Sequence, residues 1–113
     1  MKIKKKNPPR KFSVGLNYEI TISDHGSILL KDNDQISFIT EDDKEYDVVR
    51  KEWGFYATPS INGRLSNQGF KTALVKNSNG MLYIMLVEKN KLDEFKKYLE
   101  NEKNFLIKWL DEV

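Results

Sequence analysis

Apolar and polar residues alternate most regularly between Lys11 and Ser23. In that stretch every even position is apolar or aromatic, and the odd positions are polar, charged or glycine. The apolar members are Phe12, Val14, Leu16, Tyr18, Ile20 and Ile22. A period of two is the pattern of a β-strand with one buried and one solvated face. We therefore predict a strand over 11–23, bent or bulged at Gly15.

Shorter strands follow, separated by polar turns. The turn 24–27 precedes a short strand over 28–30, and alternating residues predict a strand over 35–40. Residues 46–49 and 53–57 are predicted as strand with a bulge between them. Residues 70–76 and 81–88 flank the turn Asn77-Ser78-Asn79-Gly80, which predicts a hairpin. Residues 81–87 are apolar on both faces, so we expect them to form a central strand.

The end of the chain changes to a helical period. One apolar stripe is formed by Leu92, Phe95, Leu99, Leu106 and Leu110. Asn90 is a suitable N-cap, and Asp93 suits the first turn. The spacing predicts one helix over 91–111, or two helices with a break near 101–104.

These elements predict an α+β fold. We expect a mainly antiparallel β half-barrel or sandwich of six to seven strands, with a C-terminal helix packed on it. Pro8 and Pro9 exclude a helix or a central strand at the start of the chain. Residues 1–11 are therefore expected to be a basic, disordered tail, and 12–113 a single globular domain.

Charge is distributed unevenly along the 113 residues. The net charge is +2, but residues 1–11 hold six of the 19 basic residues and no acidic one, which leaves the body negative. We therefore do not expect a nucleic-acid partner. A small-barrel nucleic-acid binder stays an alternative, because exposed aromatic rings can stack on bases and the lysines would add a salt-sensitive attraction.

Composition excludes several classes of site. The chain has no cysteine and one histidine, so thiolate and multi-histidine metal sites are excluded, and we expect neither a metal nor a cofactor. No segment is long and apolar enough to span a membrane, and no apolar signal region follows the first lysines. The expected location is the cytoplasm.

No motif in the chain carries an assigned catalytic chemistry. His25 adjoins Asp24 within a turn sequence, and ordinary turn chemistry explains the pair. The acidic runs 32–34 and 41–43 lack the ligand spacing of a calcium loop. The pattern therefore favours a non-catalytic protein over an enzyme.

The segment 50–67 is the candidate binding site, because it concentrates aromatic, hydroxyl, amide and cationic side chains. The residues expected to bind ligand are Arg50, Trp53, Tyr56, Ser60, Asn62, Arg64 and Asn67. Arginine can grip a carboxylate or phosphate in two places, and aromatic rings offer stacking surfaces. In the competing interpretation the aromatic residues belong to the core and the 58–69 loop is structural.

The string WGFYATPSINGRL, residues 53–65, resembles small uncharacterised bacterial proteins found among cell-surface polysaccharide genes. The resemblance covers 13 residues and implies no catalytic residue, but it directs the ligand towards sugars or sugar nucleotides.

The expected function is that of a non-catalytic accessory or binding protein that recognises a polar or anionic sugar-type ligand. Three alternatives stay open: a protein-interaction or homo-oligomerising subunit, the nucleic-acid binder, and a small enzyme acting on a sugar nucleotide. A homodimer would bury apolar side chains of the helix that one small sheet leaves uncovered.

Overall fold

A computed structural model describes all residues from Met1 to Val113. Its eight strands are β1 (Lys2–Val14), β2 (Ile20–Leu29), β3 (Gln35–Ile39), β4 (Glu45–Lys51), β5 (Gly54–Ala57), β6 (Phe70–Lys76), β7 (Leu82–Glu88) and β8 (Phe105–Trp109). Two α-helices, α1 (Arg64–Asn67) and α2 (Leu92–Glu102), are accompanied by 3-10 turns at Lys89–Lys91 and Leu110–Glu112. None of the helices has the length and apolar composition needed to cross a membrane.

The strands form three separate sheets, in the orders β1-β2, β3-β4-β5 and β7-β6-β8. The β1–β2, β4–β5, β6–β7 and β6–β8 pairings are antiparallel. The prediction of a mainly antiparallel α+β fold with a helix near the C-terminus is thus confirmed, with eight strands rather than six or seven.

Contacts divide the chain into two compact units. Unit 1 contains Met1–Phe38 and Tyr46–Thr58, and unit 2 contains Ile39–Glu45 and Pro59–Val113. The expectation of one globular domain over 12–113 stays a prediction.

The first eleven residues are ordered in the structure, unlike the tail expected from their composition. They belong to β1, which pairs with β2 from Lys2 opposite Leu29 to Val14 opposite Ile20. The two prolines lie where the register shifts, between Lys5 and Arg10, so their missing N–H groups interrupt no ladder bond. Because this sheet has only two strands, β1 is an edge strand, and prolines are tolerated there.

The long strand predicted over 11–23 is a hairpin. The chain reverses across residues 15–19, where Gly15 and Tyr18 both adopt positive φ and the Tyr18 N–H donates to the Gly15 carbonyl at 3.2 Å. Phe12 then lies opposite Ile22. Paired residues share a face, so the even positions still form one apolar face although the strand is folded back. The turn predicted at 24–27 lies inside β2.

The hairpin predicted over 70–88 is confirmed, but its second arm is not the central strand. Strand β6 is central, between β7 and β8, and β7 lies at an edge. The core of unit 2 consists of Ala73 and Val75 on β6, Val87 on β7 and Leu99 on α2. Strand β6 is the most buried because it has a partner strand on both sides.

The helix predicted over 91–111 ends at Glu102. Lys103 adopts the left-handed conformation with φ 53°, and the Asn104 N–H donates to the Leu99 carbonyl at 2.8 Å, which closes the helix end. Residues 105–109 then form β8 beside β6, so Leu106 lies opposite Val75. The predicted break near 101–104 is present, but a strand and not a second α-helix follows it.

Candidate functional site

Three of the predicted site residues lie on the β4–β5 hairpin of unit 1. Its two-residue turn is Glu52–Trp53, and Val49 lies opposite Tyr56 while Arg50 lies opposite Phe55. Because residues opposite each other share a face and neighbours alternate, Tyr56 belongs to the face of Val49, and Arg50 belongs to the other face.

Trp53 and Tyr56 form an exposed aromatic pair. Their ring centroids are 6.0 Å apart with an interplanar angle of 23°, and the side chains are 71% and 45% exposed. Val49 is buried on the same face, at 9% exposure. This face is therefore buried at Val49 and exposed to solvent at the turn, where the two rings lie.

Lys51 shares this face, two residues after Val49. Its ammonium group donates a hydrogen bond to the side-chain oxygen of Asn33. The Asn33 N–H donates to the Arg50 carbonyl at 2.8 Å, and the Arg50 N–H donates to the Asp34 carbonyl at 3.0 Å. These backbone bonds hold the 31–34 turn beside β4 and so position the amide of Asn33 next to the cation of Lys51.

The guanidinium group of Arg50 makes its contacts on the opposite face of the hairpin. Its guanidinium lies 5.3 Å from the Phe55 ring centroid, and its Nη1 donates to the Gly54 carbonyl at 3.1 Å. The structure therefore brings Trp53 and Tyr56 together but directs Arg50 away from them. Among the basic residues of 50–67, Lys51 is the cation on the aromatic face. Lys51 is not among the binding residues predicted from the sequence.

The other four predicted residues belong to unit 2. Ser60 and Asn62 precede the short helix α1, Arg64 and Asn67 are its first and last residues, and all four are exposed. The Ser60 carbonyl accepts hydrogen bonds from the N–H groups of Gly63 and Leu65 at 3.2 and 3.1 Å. Arg64 lies 4.0 Å from the carboxylate of Glu45. Leu65, only 1% exposed, anchors the segment.

The β1–β2 hairpin contains a second concentration of polar groups. On one face the register places Lys2, Lys4, Lys11 and His25 with four hydroxyl residues, Ser13, Thr21, Ser23 and Ser27, and no carboxylate. We call this surface the basic face. Lys2, Lys4 and Lys11 have no ion-pair partner.

A cleft of about 550 Å³ opens where the β1–β2 register shifts. Lys4, Lys5, Lys6 and His25 contribute to its lining, together with Ile3 and Ile28. The sequence did not predict this cleft, because residues 1–11 were expected to be disordered. The alternation of Lys2, Ile3 and Lys4 is the pattern that could have indicated a strand.

Asp24 organises the other face of this hairpin. Its carboxylate accepts hydrogen bonds from Lys6 Nζ at 2.6 Å, Arg10 Nη2 at 3.3 Å and the Gly26 N–H at 3.0 Å. The bond from Lys6, followed by the bond from Gly26, lowers the pKa of Asp24 to about 2 from its ordinary value of 3.8. His25 makes no contact with Asp24 that would form a catalytic pair.

Two ion-pair clusters in unit 2 have structural roles. Lys44 lies 2.6 Å from Glu88 and 3.2 Å from Asp42, and the bond to Glu88 is the largest cause that raises the pKa of Lys44. Lys71 lies 2.9 Å from Asp111 and 2.7 Å from Glu112. Both clusters join segments distant in sequence.

No group of three or more histidine or acidic side chains is arranged to hold a metal ion. No protein-family model, curated protein or solved structure matches this chain.

Proposed function

We propose that this chain is a non-catalytic accessory or binding protein whose site is the exposed aromatic face of the β4–β5 hairpin. The ligand is a polar or anionic sugar-type molecule with a ring that lies on Trp53 and Tyr56. The observation that carries the proposal is the stacked pair of rings at 71% and 45% exposure, on the same face of the hairpin as Lys51.

Exposure of the two aromatic rings to solvent costs free energy. A tryptophan and a tyrosine left in solvent forgo the burial free energy that large aromatic side chains provide in a core. A flat pair of rings can recover this free energy by stacking against the apolar face of a sugar ring or against a nucleobase. The resemblance of 53–65 to proteins encoded among polysaccharide genes favours the sugar.

The polar groups at the rim would add selectivity. Lys51 is a compact cation on a flexible stem, which suits a carboxylate or phosphate attached to the ring. The Asn33 amide next to it offers a further donor or acceptor for a hydroxyl group. A ligand with an anionic substituent should therefore bind more tightly than its neutral analogue.

The test is an NMR titration of the full chain that follows the two tryptophan indole N–H signals. The probes are a nucleoside diphosphate sugar, a uronic-acid oligosaccharide and a neutral oligosaccharide. We expect one of the probes to shift the Trp53 signal. The Trp109 signal is an internal control because that ring packs against Phe95 in unit 2.

Three variants test which side chains contact the probes. Trp53→Ala should weaken binding at least tenfold, whereas Tyr18→Ala, which removes a ring that is 75% exposed outside the site, should leave binding unchanged. Lys51→Met should weaken binding of the anionic probes and not of the neutral one. Equal losses from Trp53→Ala and Tyr18→Ala, or no shift of the Trp53 signal with any probe, would refute the site.

The basic face of the β1–β2 hairpin supports nucleic-acid binding as a second candidate function. Unit 1 contains nine basic and six acidic residues, so it is positive although the chain beyond residue 11 is negative. A two-stranded ribbon is narrow enough to enter the DNA major groove, and lysines at alternate positions can follow a phosphate backbone. No aromatic ring lies on the basic face apart from the imidazole of His25, so any binding there would depend on phosphates rather than bases.

Fluorescence anisotropy with a labelled DNA duplex at two salt concentrations tests this candidate. Binding through the basic face should weaken steeply with salt and should fall when Lys2, Lys4 and Lys11 are replaced by glutamine. DNA binding that is unaffected by those substitutions would contradict this second candidate function. That result would not bear on the proposed ligand site at Trp53 and Tyr56.

A further inference from the structure

Strand β7 is an edge strand with no protection against pairing. It lies at the end of the sheet β7-β6-β8, so the backbone N–H and C=O groups along its outer side have no partner strand. Residues 82–87 include no charged residue, proline or glycine. All seven residues of β7 pair one to one with β6, without a bulge. A regular, uncharged edge is a template for another strand.

Three other edge strands carry one or more of the usual protections. Strand β1 has lysines, two prolines and a register shift. Strand β8, the other edge of the same sheet, has a register shift opposite Leu74 and Val75. Strand β5 has only four residues. Charges, prolines, bulges and short length are the devices that keep edges from pairing, and β7 has none of them apart from the charge of its last residue, Glu88.

The β7 edge is also apolar on both faces of the sheet. Leu82, Tyr83 and Ile84 are 61%, 46% and 57% exposed. Phe105 on β8 is 59% exposed, and the register through Lys76 places it on the same face as Leu82. Met81, next to the start of β7, is 58% exposed, so exposed apolar side chains flank this edge.

We propose that β7 pairs antiparallel with β7 of a second copy of this chain. The two three-stranded sheets then become one six-stranded sheet, related by a two-fold axis perpendicular to it. This pairing satisfies the free backbone edge of both copies and brings the exposed apolar side chains of the two β7 strands next to one another. The inference concerns unit 2 alone and does not rest on the proposed ligand site.

The sequence of β7 specifies the register of this pairing. Paired residues must share a face, so a two-fold axis requires one residue to lie opposite its own copy. The uninterrupted apolar run is 81–87, and its midpoint is Ile84. Centred there, Leu82 meets Leu86 and Tyr83 meets Met85. Centred on Met85, Leu82 would face the charged Glu88.

The first measurement is the mass in solution by light scattering at high micromolar concentration. We expect twice the 13.3 kDa mass of the chain for the natural sequence. Ile84→Lys should give the monomer mass and a dissociation constant at least tenfold higher. Ile39→Lys is the matched control, since Ile39 is 66% exposed and lies outside the interface, and this variant should stay dimeric.

Cysteine cross-linking gives a second readout that does not depend on an added charge. The chain has no cysteine, so Ile84→Cys and Leu82→Cys each introduce a single thiol. Opposed residues of antiparallel strands have Cα atoms about 4.5–5.5 Å apart, a distance compatible with a disulfide. The two copies of residue 82 would be displaced by four residues, about 13 Å, and could not join.

We expect an oxidised dimer for Ile84→Cys and none for Leu82→Cys. Three results would overturn the proposal: a 13.3 kDa mass at high micromolar concentration without cross-linking of Ile84→Cys, a dimer that Ile84→Lys leaves intact, or cross-linking of Leu82→Cys in place of Ile84→Cys. If Ile84→Lys does not fold, as judged by circular dichroism, the cross-linking pair decides.

Discussion

Leu99 anchors α2 on the sheet of unit 2, and its replacement by alanine tests that packing. The side chain is 8% exposed and belongs to one cluster with Ala73, Val75 and Val87. Leu99→Ala removes three carbon atoms, and at about 0.8 kcal/mol for each buried carbon the transfer free energy lost is about 2.4 kcal/mol. The cavity left behind adds to this loss, so we expect a decrease of about 3 kcal/mol in the free energy of unfolding.

The assay is urea denaturation followed by tryptophan fluorescence. Trp109 reports on this unit because its ring lies 5.9 Å from that of Phe95 on α2. With a slope of about 1.5 kcal/mol per molar urea, the expected loss lowers the midpoint by about 2 M. Alanine favours helix at least as well as leucine, so the loss cannot be assigned to helix propensity.

Leu106→Ala is the matched control. Leu106 faces the same cluster from β8 but is 38% exposed, so the same substitution should cost about 1.5 kcal/mol. A loss below about 1 kcal/mol for Leu99→Ala, or equal losses for the two variants, would refute the burial argument.

Three further predictions test other parts of the structure. Gly26→Ala should destabilise unit 1 by about 2 kcal/mol or more, measured by thermal unfolding, because φ is +135° there and a Cβ atom would lie 2.0 Å from a backbone oxygen of β1; an unchanged melting temperature would contradict the close approach of the two strands. Thr72→Val should raise the free energy of unfolding in urea by about 1 kcal/mol, since the buried Thr72 hydroxyl has no hydrogen-bond partner, and a loss would indicate that the hydroxyl is satisfied. The Asp24 carboxyl should titrate near pH 2 by carbon-detected NMR, and Lys6→Ala should move its midpoint back towards 3.8. Because the folded pKa lies below the ordinary one, the stabilisation from Asp24 is present above the ordinary value of 3.8 and is lost as the pH falls through about 2; a midpoint unmoved by Lys6→Ala would exclude that lysine as the cause.

The local patterns predicted most of the strands but not every reversal of the chain. The hairpin over 70–88 could be predicted because two apolar runs flank a turn sequence. The even-numbered apolar residues of 11–23 fit a straight strand and a hairpin equally well, since folding back at 15–19 places even residues opposite even residues. The cross-strand pairing, such as that of Phe12 with Ile22, distinguishes the two.

Local patterns also failed to predict where the C-terminal helix ends. Leu106 and Leu110 continue the helical stripe of Leu99, yet residues 105–109 form a strand. Apolar residues at this spacing also suit a half-buried strand, and the open side of β6 offers them hydrogen-bond partners and a face to cover. A periodic pattern indicates that a segment has an apolar side. Whether the segment forms a helix or a strand depends on the element against which that side packs.

For the candidate site too, the sequence predicted one part and the tertiary structure decided another. Composition pointed to 50–67, and the structure pairs Trp53 with Tyr56 within that segment. It directs Arg50 to the opposite face and brings Lys51 and Asn33 together on the aromatic one. Strand register decides which neighbours share a face, and register depends on the turn geometry and on the partner strand.

By itself, the sequence determined the antiparallel, strand-rich class, the helix near the C-terminus and the aromatic character of the candidate site. These properties follow from local periodicity and side-chain chemistry, which are present before folding. The tertiary structure alone decided that the lysine-rich start is a paired strand, that β6 and not β7 is central, and which cation accompanies the exposed rings. Each of these depends on contacts between residues distant in sequence, whose free energy appears only when the segments meet.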